Sequence, residues 1–157
     1  EGKGSLYEKG DEQLPGQSAE GTDLKVNWTK KMLYHDTLKK VSFYEEAEAT
    51  RGGQKLQGDQ IDAYLDNNQN IHKIIATGNV YFSSKRLQNS EGFGSLFIWD
   101  LAQNTALLTG NPKAELRKEG SRTFSEKVYF DMAEGRVTWE GRPHWQIMSN
   151  DATISNK

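Results

Sequence analysis

The sequence predicts an all-β fold built by repetition, a stack of antiparallel strands around one apolar interior. Three observations carry this expectation. From Leu24 onward apolar residues recur at every second position rather than every 3.6. Such alternation marks strands with one buried face. No segment combines both helix caps with a sustained helical period. Finally, one strand–turn–strand unit recurs along the chain.

The elements follow in order. Residues 1–23 carry six acids against two lysines, with Pro15 and several glycines, and read as an acidic flexible leader. The next stretch reverses sign: Lys25, Lys30, Lys31, Lys39 and Lys40 stand against Asp36 alone. Lysines of this kind guard strand edges, and they are also candidates for phosphate contact. Leu24, Val26 and Trp28 alternate with Lys25 and Asn27, and Val41 and Phe43 alternate with Ser42 and Tyr44. Residues 45–51 fit either one helical turn or a strand with Ala47 and Ala49 inward. Ile61, Ala63 and Leu65 form the next alternating run, followed by Val80 and Phe82, Ala114 and Leu116, Val128 and Phe130, and Val137 and Trp139. Turns are expected at Asp66-Asn67-Asn68, Ala102-Gln103-Asn104 and Ala133-Glu134-Gly135. The patterned body spans 24–148, and 149–157 form a C-terminal tail.

The repeat fixes the register. Its units begin Ile61-Asp62-Ala63-Tyr64-Leu65-Asp66, Ser95-Leu96-Phe97-Ile98-Trp99-Asp100 and Glu126-Lys127-Val128-Tyr129-Phe130-Asp131. They end Thr77-Gly78-Asn79, Thr109-Gly110-Asn111 and Glu140-Gly141-Arg142. The aspartates step by 34 and 31 residues, the glycines by 32 and 31. A unit of this size buries its apolar face only by stacking on its neighbours. Leu65, Trp99 and Phe130 precede each Asp by one residue, and Ala63, Phe97 and Val128 precede it by three. Ala76, Leu108 and Trp139 lie two before each Gly, and Ile74, Ala106 and Val137 lie four before it. Val80, Pro112 and Pro143 lie two after it, with Phe82, Ala114 and Trp145 four after. Side chains at i and i+2 share a face, so all of these belong to one interior. Tyr64, Ile98, Leu107 and Tyr129 are the exceptions on the polar face. The aspartates are expected to accept backbone N–H bonds at the turns, and the glycines to supply the bends between layers.

Composition narrows the function. The 157 residues suit one domain. Net charge is −2, with 20 basic against 22 acidic side chains, which argues against a nucleic-acid partner bound by bulk charge. No cysteine is present, so disulfides, zinc–thiolate sites and thiol catalysis are excluded. No apolar run reaches the length of a membrane helix. The chain begins at Glu1 rather than Met, as expected of a processed or excised segment.

Catalytic chemistry is not legible. His35, His72 and His144 have no metal-ligand spacing, so no metal is expected. No serine sits in a nucleophile elbow, and Gly92-Phe93-Gly94 reads as a bend rather than a phosphate loop. Glu46 with Glu48, and Asp59 with Asp62, are carboxylate pairs of the kind glycosidases use, but acids on the wet side of strands explain them as well. Trp139, Trp145 and His144 beside Arg142 fit either a sugar-stacking platform or an aromatic pair closing the last layer. Neither an enzyme nor a cofactor is expected.

The pattern Gly58-Asp59-Gln60-Ile61-x-Ala63-Tyr64 with Ile75-Ala76-Thr77-Gly78-Asn79-Val80 resembles the OstA-type repeat of the LptA-type lipopolysaccharide-transport family. So does Glu91-Gly92-Phe93 with Ile98-Trp99-Asp100-Leu101-Ala102 and Leu107-Leu108-Thr109-Gly110-Asn111. The same module occurs in the membrane-anchored LptC and at the N-terminus of the outer-membrane translocon LptD. The resemblance covers roughly residues 41–147. It departs at Glu140-Gly141-Arg142, in the degenerate unit of residues 24–49, and in the acidic leader.

The resemblance implies a repeat-built antiparallel β-jellyroll with an open apolar interior groove. It further implies a periplasmic location, lipopolysaccharide passing between the inner and outer membranes, and head-to-tail docking of jellyrolls through terminal edge strands. The partners implied are lipid A, the inner- and outer-membrane jellyroll proteins of the bridge, and further copies of the chain. The inward register makes Val41, Phe43, Leu65, Val80, Phe82, Phe97, Trp99, Leu108, Leu116, Val128, Phe130, Val137 and Trp139 the candidate lipid-binding residues. Lys25, Lys30, Lys31, Lys39 and Lys40 are the candidate phosphate contacts. Two other classes fit the pattern: a docking scaffold without lipid, and a carbohydrate-binding β-domain using the exposed Tyr64, Ile98 and Tyr129.

Overall fold

The computed structural model describes residues 2–8, 23–141, 144–147 and 155–156. Twelve strands make one antiparallel sheet: β1 (Gly4–Glu8), β2 (Leu24–Trp28), β3 (Lys31–His35), β4 (Lys40–Arg51), β5 (Gln54–Leu65), β6 (Ile71–Ser84), β7 (Ser90–Asp100), β8 (Thr105–Lys118), β9 (Ser121–Asp131), β10 (Arg136–Glu140), β11 (His144–Ile147) and β12 (Ser155–Asn156). The order is β1-β2-β4-β5-β6-β7-β8-β9-β11-β12, with β3 on β4 and β10 on β9. No helix occurs among the described residues. The ambiguous stretch 45–51 is strand, with Ala47 and Ala49 fully buried.

Both ends of the expected body differ from the sequence reading. Within the stretch read as a flexible leader, Gly4–Glu8 pair with β2, Leu6 lying opposite Val26. Within the C-terminal tail, Ser155–Asn156 pair with β11. Residues 9–22 and 148–154 lie outside the described residues, as do Arg142 and Pro143.

The long strands each cross a line of register shifts. These fall between Tyr44 and Ala47 in β4, Gln57 and Gln60 in β5, Thr77 and Val80 in β6, Phe93 and Leu96 in β7, and Thr109 and Ala114 in β8. Extra residues at such bulges bend a strand and sharpen its twist. Aligned across five strands, they fold the sheet over on itself. The first wall holds β3, residues 40–44, 60–65, 71–77, 96–100, 105–109 and 127–131, and β10. The second wall holds β1, β2, residues 47–51, 54–57, 80–84, 90–94, 114–118 and 121–125, β11 and β12.

Glu45 and Glu46 take φ of 61° and 46°, and Gly78 and Asn79 take 78° and 47°. This left-handed region suits Gly, then Asn. The repeat glycines Gly78, Gly110 and Gly141 all lie on the bend, as their spacing predicted.

The core sits between the walls. Phe82 of the second wall stacks on Phe97 of the first at 4.5 Å and meets Phe130 at 5.2 Å and Trp99 at 6.0 Å. Towards the N-terminal end Trp28 packs on Phe43 at 5.0 Å. The turn aspartates act as expected: Asp66 Oδ1 accepts from the Asn68 and Asn70 amides, Asp100 Oδ1 from Gln103, and Asp131 Oδ1 from Glu134. The next residue then ties each later turn to the layer before it. The Leu101 amide donates to His72 O, and the Met132 amide to Asn104 O, both at 3.0 Å.

Candidate functional site

Of the thirteen candidate lipid-binding residues, all but Leu65, Val137 and Trp139 are buried in one cluster, and those three pack against it partly exposed. The structure therefore gathers the whole set on one continuous inner face, but its middle is filled by the chain's own side chains. The seam opposite the bend, where the turns of the two walls meet, is closed as well. Leu87 from the second wall and Leu101 and Met132 from the first are buried there. Arg51, at the end of β4, donates from its guanidinium Nη1 to Leu101 O across the seam at 3.1 Å.

The apolar face opens at its two ends. At the N-terminal end Met32 lies opposite Phe43 and Tyr34 opposite Val41, so both continue the inner face, since directly opposed residues of an antiparallel pair share a side. They are 41% and 49% exposed. Leu33 is exposed on the other face, and Leu38 in the adjoining turn is exposed too. At the C-terminal end Val137 and Trp139 of β10 lie opposite Phe130 and Val128. Sequence reasoning missed Met32 and Tyr34 because Met32-Leu33-Tyr34 is an unbroken apolar run. The only signal was the hairpin itself, whose register sets the even positions 32 and 34 opposite the odd positions 43 and 41.

The lysines do not converge. Lys25 is in β2, on the second wall, while Lys31 and Lys40 sit at opposite ends of the β3–β4 ladder. Lys30 pairs with Glu45 at 2.9 Å, Lys31 lies over the Tyr44 ring, and Lys39 donates to Asn67 Oδ1 at 2.8 Å. Lys30, Lys31, Lys39 and Lys40 flank β3 while Lys25 stands apart on β2, so the five form no single anion pocket.

Three of the four paired carboxylates, Asp62, Glu48 and Asp59, have structural partners. Ser42 Oγ donates to Asp62 Oδ1 at 2.5 Å, Gln57 to Glu48 at 2.7 Å, and Asn79 Nδ2 to Asp59 Oδ2 at 2.9 Å across the bend. Among the described residues no three His, Asp or Glu side chains gather to hold a metal ion. Of the aromatic platform, Trp139 packs on the core, and the side chains of His144 and Trp145 lie outside the described residues. On the polar face, Ile98, Leu107, Tyr129 and Thr138 line a shallow exterior cavity of about 520 Å³. Tyr64 instead lies under Lys73 at 4.9 Å. The Tyr129 hydroxyl donates to Glu140 at 2.9 Å, and this bond raises its pKa above the ordinary phenol value. No described helix is long and apolar enough to cross a membrane.

Comparison with known proteins agrees with this geometry. The family model described as LptA/(LptD N-terminal domain) LPS transport protein matches residues 29–136. Among solved structures, the chain is similar to LptH, the LptA homologous periplasmic component of the conserved lipopolysaccharide transport device from Pseudomonas aeruginosa. The two share 18% identity over 78% of this chain and 85% of that one, with a TM-score of 0.68. At that identity the likeness carries the fold, an LptA-like β-jellyroll. No curated protein matches the chain. A family match over residues 29–136, on a jellyroll whose repeats and bends follow the same motif, establishes that this chain belongs to the LptA/LptD N-terminal domain family of lipopolysaccharide-transport proteins.

Proposed function

We propose that this protein is a non-enzymatic periplasmic carrier that holds the acyl chains of lipopolysaccharide between its two walls and hands them along a bridge of jellyrolls. The observation that carries the reading is the inner apolar face, which runs unbroken from Met32 and Tyr34 to Val137 and Trp139 and is exposed at its N-terminal end. A 12-carbon acyl chain gains about 10 kcal/mol gross at ~0.8 kcal/mol per buried CH₂. That gain offsets parting the seam at Arg51–Leu101 and needs no covalent chemistry. An interior whose buried groups are mainly apolar also lets the lipid slide.

Docking uses the terminal edges. Strand direction alternates through the first wall, so a strand added beyond β10 runs antiparallel to it, as β3 of a following copy does. Pairing the five residues of each strand puts Met32 opposite Trp139, Tyr34 opposite Val137 and Lys31 opposite Glu140. The inner face then continues from one jellyroll into the next. The same edges serve the membrane-bound partners of the bridge.

Photocrosslinking in cells tests the carrier reading. A photoreactive residue at Trp99 or Phe130 is expected to capture lipopolysaccharide, while Tyr64 and Tyr129 on the outer face are not. No adduct from the inward pair in folded periplasmic protein overturns it. The closed middle favours a second reading, a docking scaffold without lipid, which that negative result would leave standing.

A further inference from the structure

The two walls end unevenly. β2 and β3 follow one another across the bend through Thr29 and Lys30, and both pair with β4. β10 and β11 follow one another past Gly141, and both pair with β9. Each of these couples is one edge serving both walls. β1 lies beyond β2, and β12 beyond β11, in the second wall alone. When β10 of one copy docks on β3 of the next, two strands stand between β9 and β4 in the first wall, and four in the second. The two surplus strands hold the second walls about 10 Å too far apart for both halves of the joint to close.

Without β1 and β12 the mismatch vanishes. β11 then faces β2, and the alternation of strand direction makes the pair antiparallel. The register that sets Met32 opposite Trp139, carried across the bend unshifted, sets Leu24 opposite Ile147 and Asn27 opposite His144, which is the whole of β11. β12 is held to β11 by two residues. β1 is held by half-buried Leu6, by the Gly2 amide on Lys30 O, and by Gly2 O, which accepts from Trp28 Nε1 at 2.8 Å. We propose that β1 is a displaceable cap, which covers the β2 edge in the single copy and yields it to β11 of a second copy when jellyrolls dock. The inference rests on the first-wall docking proposed above and adds the second half of the joint. A covered edge also keeps β2 from pairing with stray strands before assembly.

The test locks the cap. The Gly2 amide bond to Lys30 O makes Gly4–Trp28 and Leu6–Val26 the hydrogen-bonded pairs, with Ser5–Asn27 between them a non-bonded pair. Such pairs have Cα atoms about 4.5 Å apart, within disulfide reach. The chain has no cysteine of its own, so Ser5→Cys with Asn27→Cys makes one defined bridge. Sedimentation equilibrium should show self-association at least tenfold weaker in the oxidised protein, and restored to the wild-type value on reduction. Leu6→Asp, which loosens β1, should strengthen association several-fold. In the assembled wild-type protein the Leu6 amide should lose protection from hydrogen exchange while the Val26 amide keeps it, since β11 takes the place of β1. Equal association of oxidised and reduced protein overturns the cap alone. So does weaker or unchanged association of Leu6→Asp, and so does continued protection of Leu6 in the assembly. A reduced protein that does not self-associate at all overturns docking between copies and the cap together.

Discussion

Phe82 and Phe97 stack at 4.5 Å with their planes 29° apart, and they belong to opposite walls of the folded sheet. The contact is what makes two half-sheets one core. Phe82 also meets Trp99 and Phe130, so it is the hub of the aromatic cluster. Phe82→Ala therefore removes contacts to three rings and leaves a cavity too enclosed to collapse. The expected cost is about 3–5 kcal/mol, read as a lowered urea midpoint with unchanged slope. A loss below ~1 kcal/mol would mean that the walls are held by their edges rather than by this cluster.

The bend makes a separate prediction. Gly78 has φ of 78°, and a side chain there would press on the Asp59 carboxylate, which is bonded to Asn79. Gly78→Ala meets both obstacles and should cost about 1–3 kcal/mol. Asn79→Ala loses the bond and the left-handed preference but no space, and should cost less, about 1 kcal/mol. Thermal unfolding of the two variants side by side checks the order.

This bend is also where the sequence spoke most clearly. The steps of Asp66, Asp100 and Asp131 and of Gly78, Gly110 and Gly141 located turns and bends, because each residue type has a backbone task that few others perform. Val41 to Phe130 were legible as one face for the same reason that they were not legible as a groove: alternation by two reports burial and is silent on what buries it. Gly4–Glu8 were read as leader because a five-residue strand with one inward apolar side chain, Leu6, has the composition of a linker. The seam residues Leu87, Leu101 and Met132 sit in turns, where the period is broken, so their burial depends on a contact between walls that no local pattern encodes.

The seam itself can be weakened. Arg51→Met removes the 3.1 Å bond to Leu101 O while keeping most of the stem that covers the apolar edge. Stability should fall by about 1–2 kcal/mol. Amide exchange at Met132, whose N–H bonds to Asn104 O beside the seam, should quicken more than exchange in the middle of β6. If lipid enters by this route, the variant also binds lipopolysaccharide faster, measurable as a higher association rate.

Two tyrosines set an alkaline limit. Burial, then the bond to Glu91, raises the Tyr81 pKa, while the bond to Glu140 leads the rise at Tyr129. A phenol whose folded pKa exceeds its unfolded one stabilises the fold below its ordinary value near 10 and loses that contribution as pH climbs through the folded value. Stability should be insensitive to these groups at neutral pH and decline above pH ~10. In an ultraviolet titration Tyr81→Phe and Tyr129→Phe should each remove one late-titrating group.

The edge pairing yields the sharpest test of assembly. In the register that continues the inner face, Lys31 of one copy stands opposite Glu140 of the next, on the outer side of the joint. Opposite charges facing each other across strands favour pairing, and like charges oppose it. Lys31→Glu should therefore weaken self-association, as should Glu140→Lys, each by several-fold in sedimentation equilibrium. Glu140→Lys also removes the acceptor of the Tyr129 hydroxyl, so its monomer stability has to be measured in parallel. The double variant restores opposite charges in reversed order and should recover association relative to either single change, with its salt dependence intact. Recovery depends on the two residues meeting across the joint. If the double variant is as weak as the sum of the singles, the copies meet in another register or through another edge, and the alignment of Met32 with Trp139 fails with it.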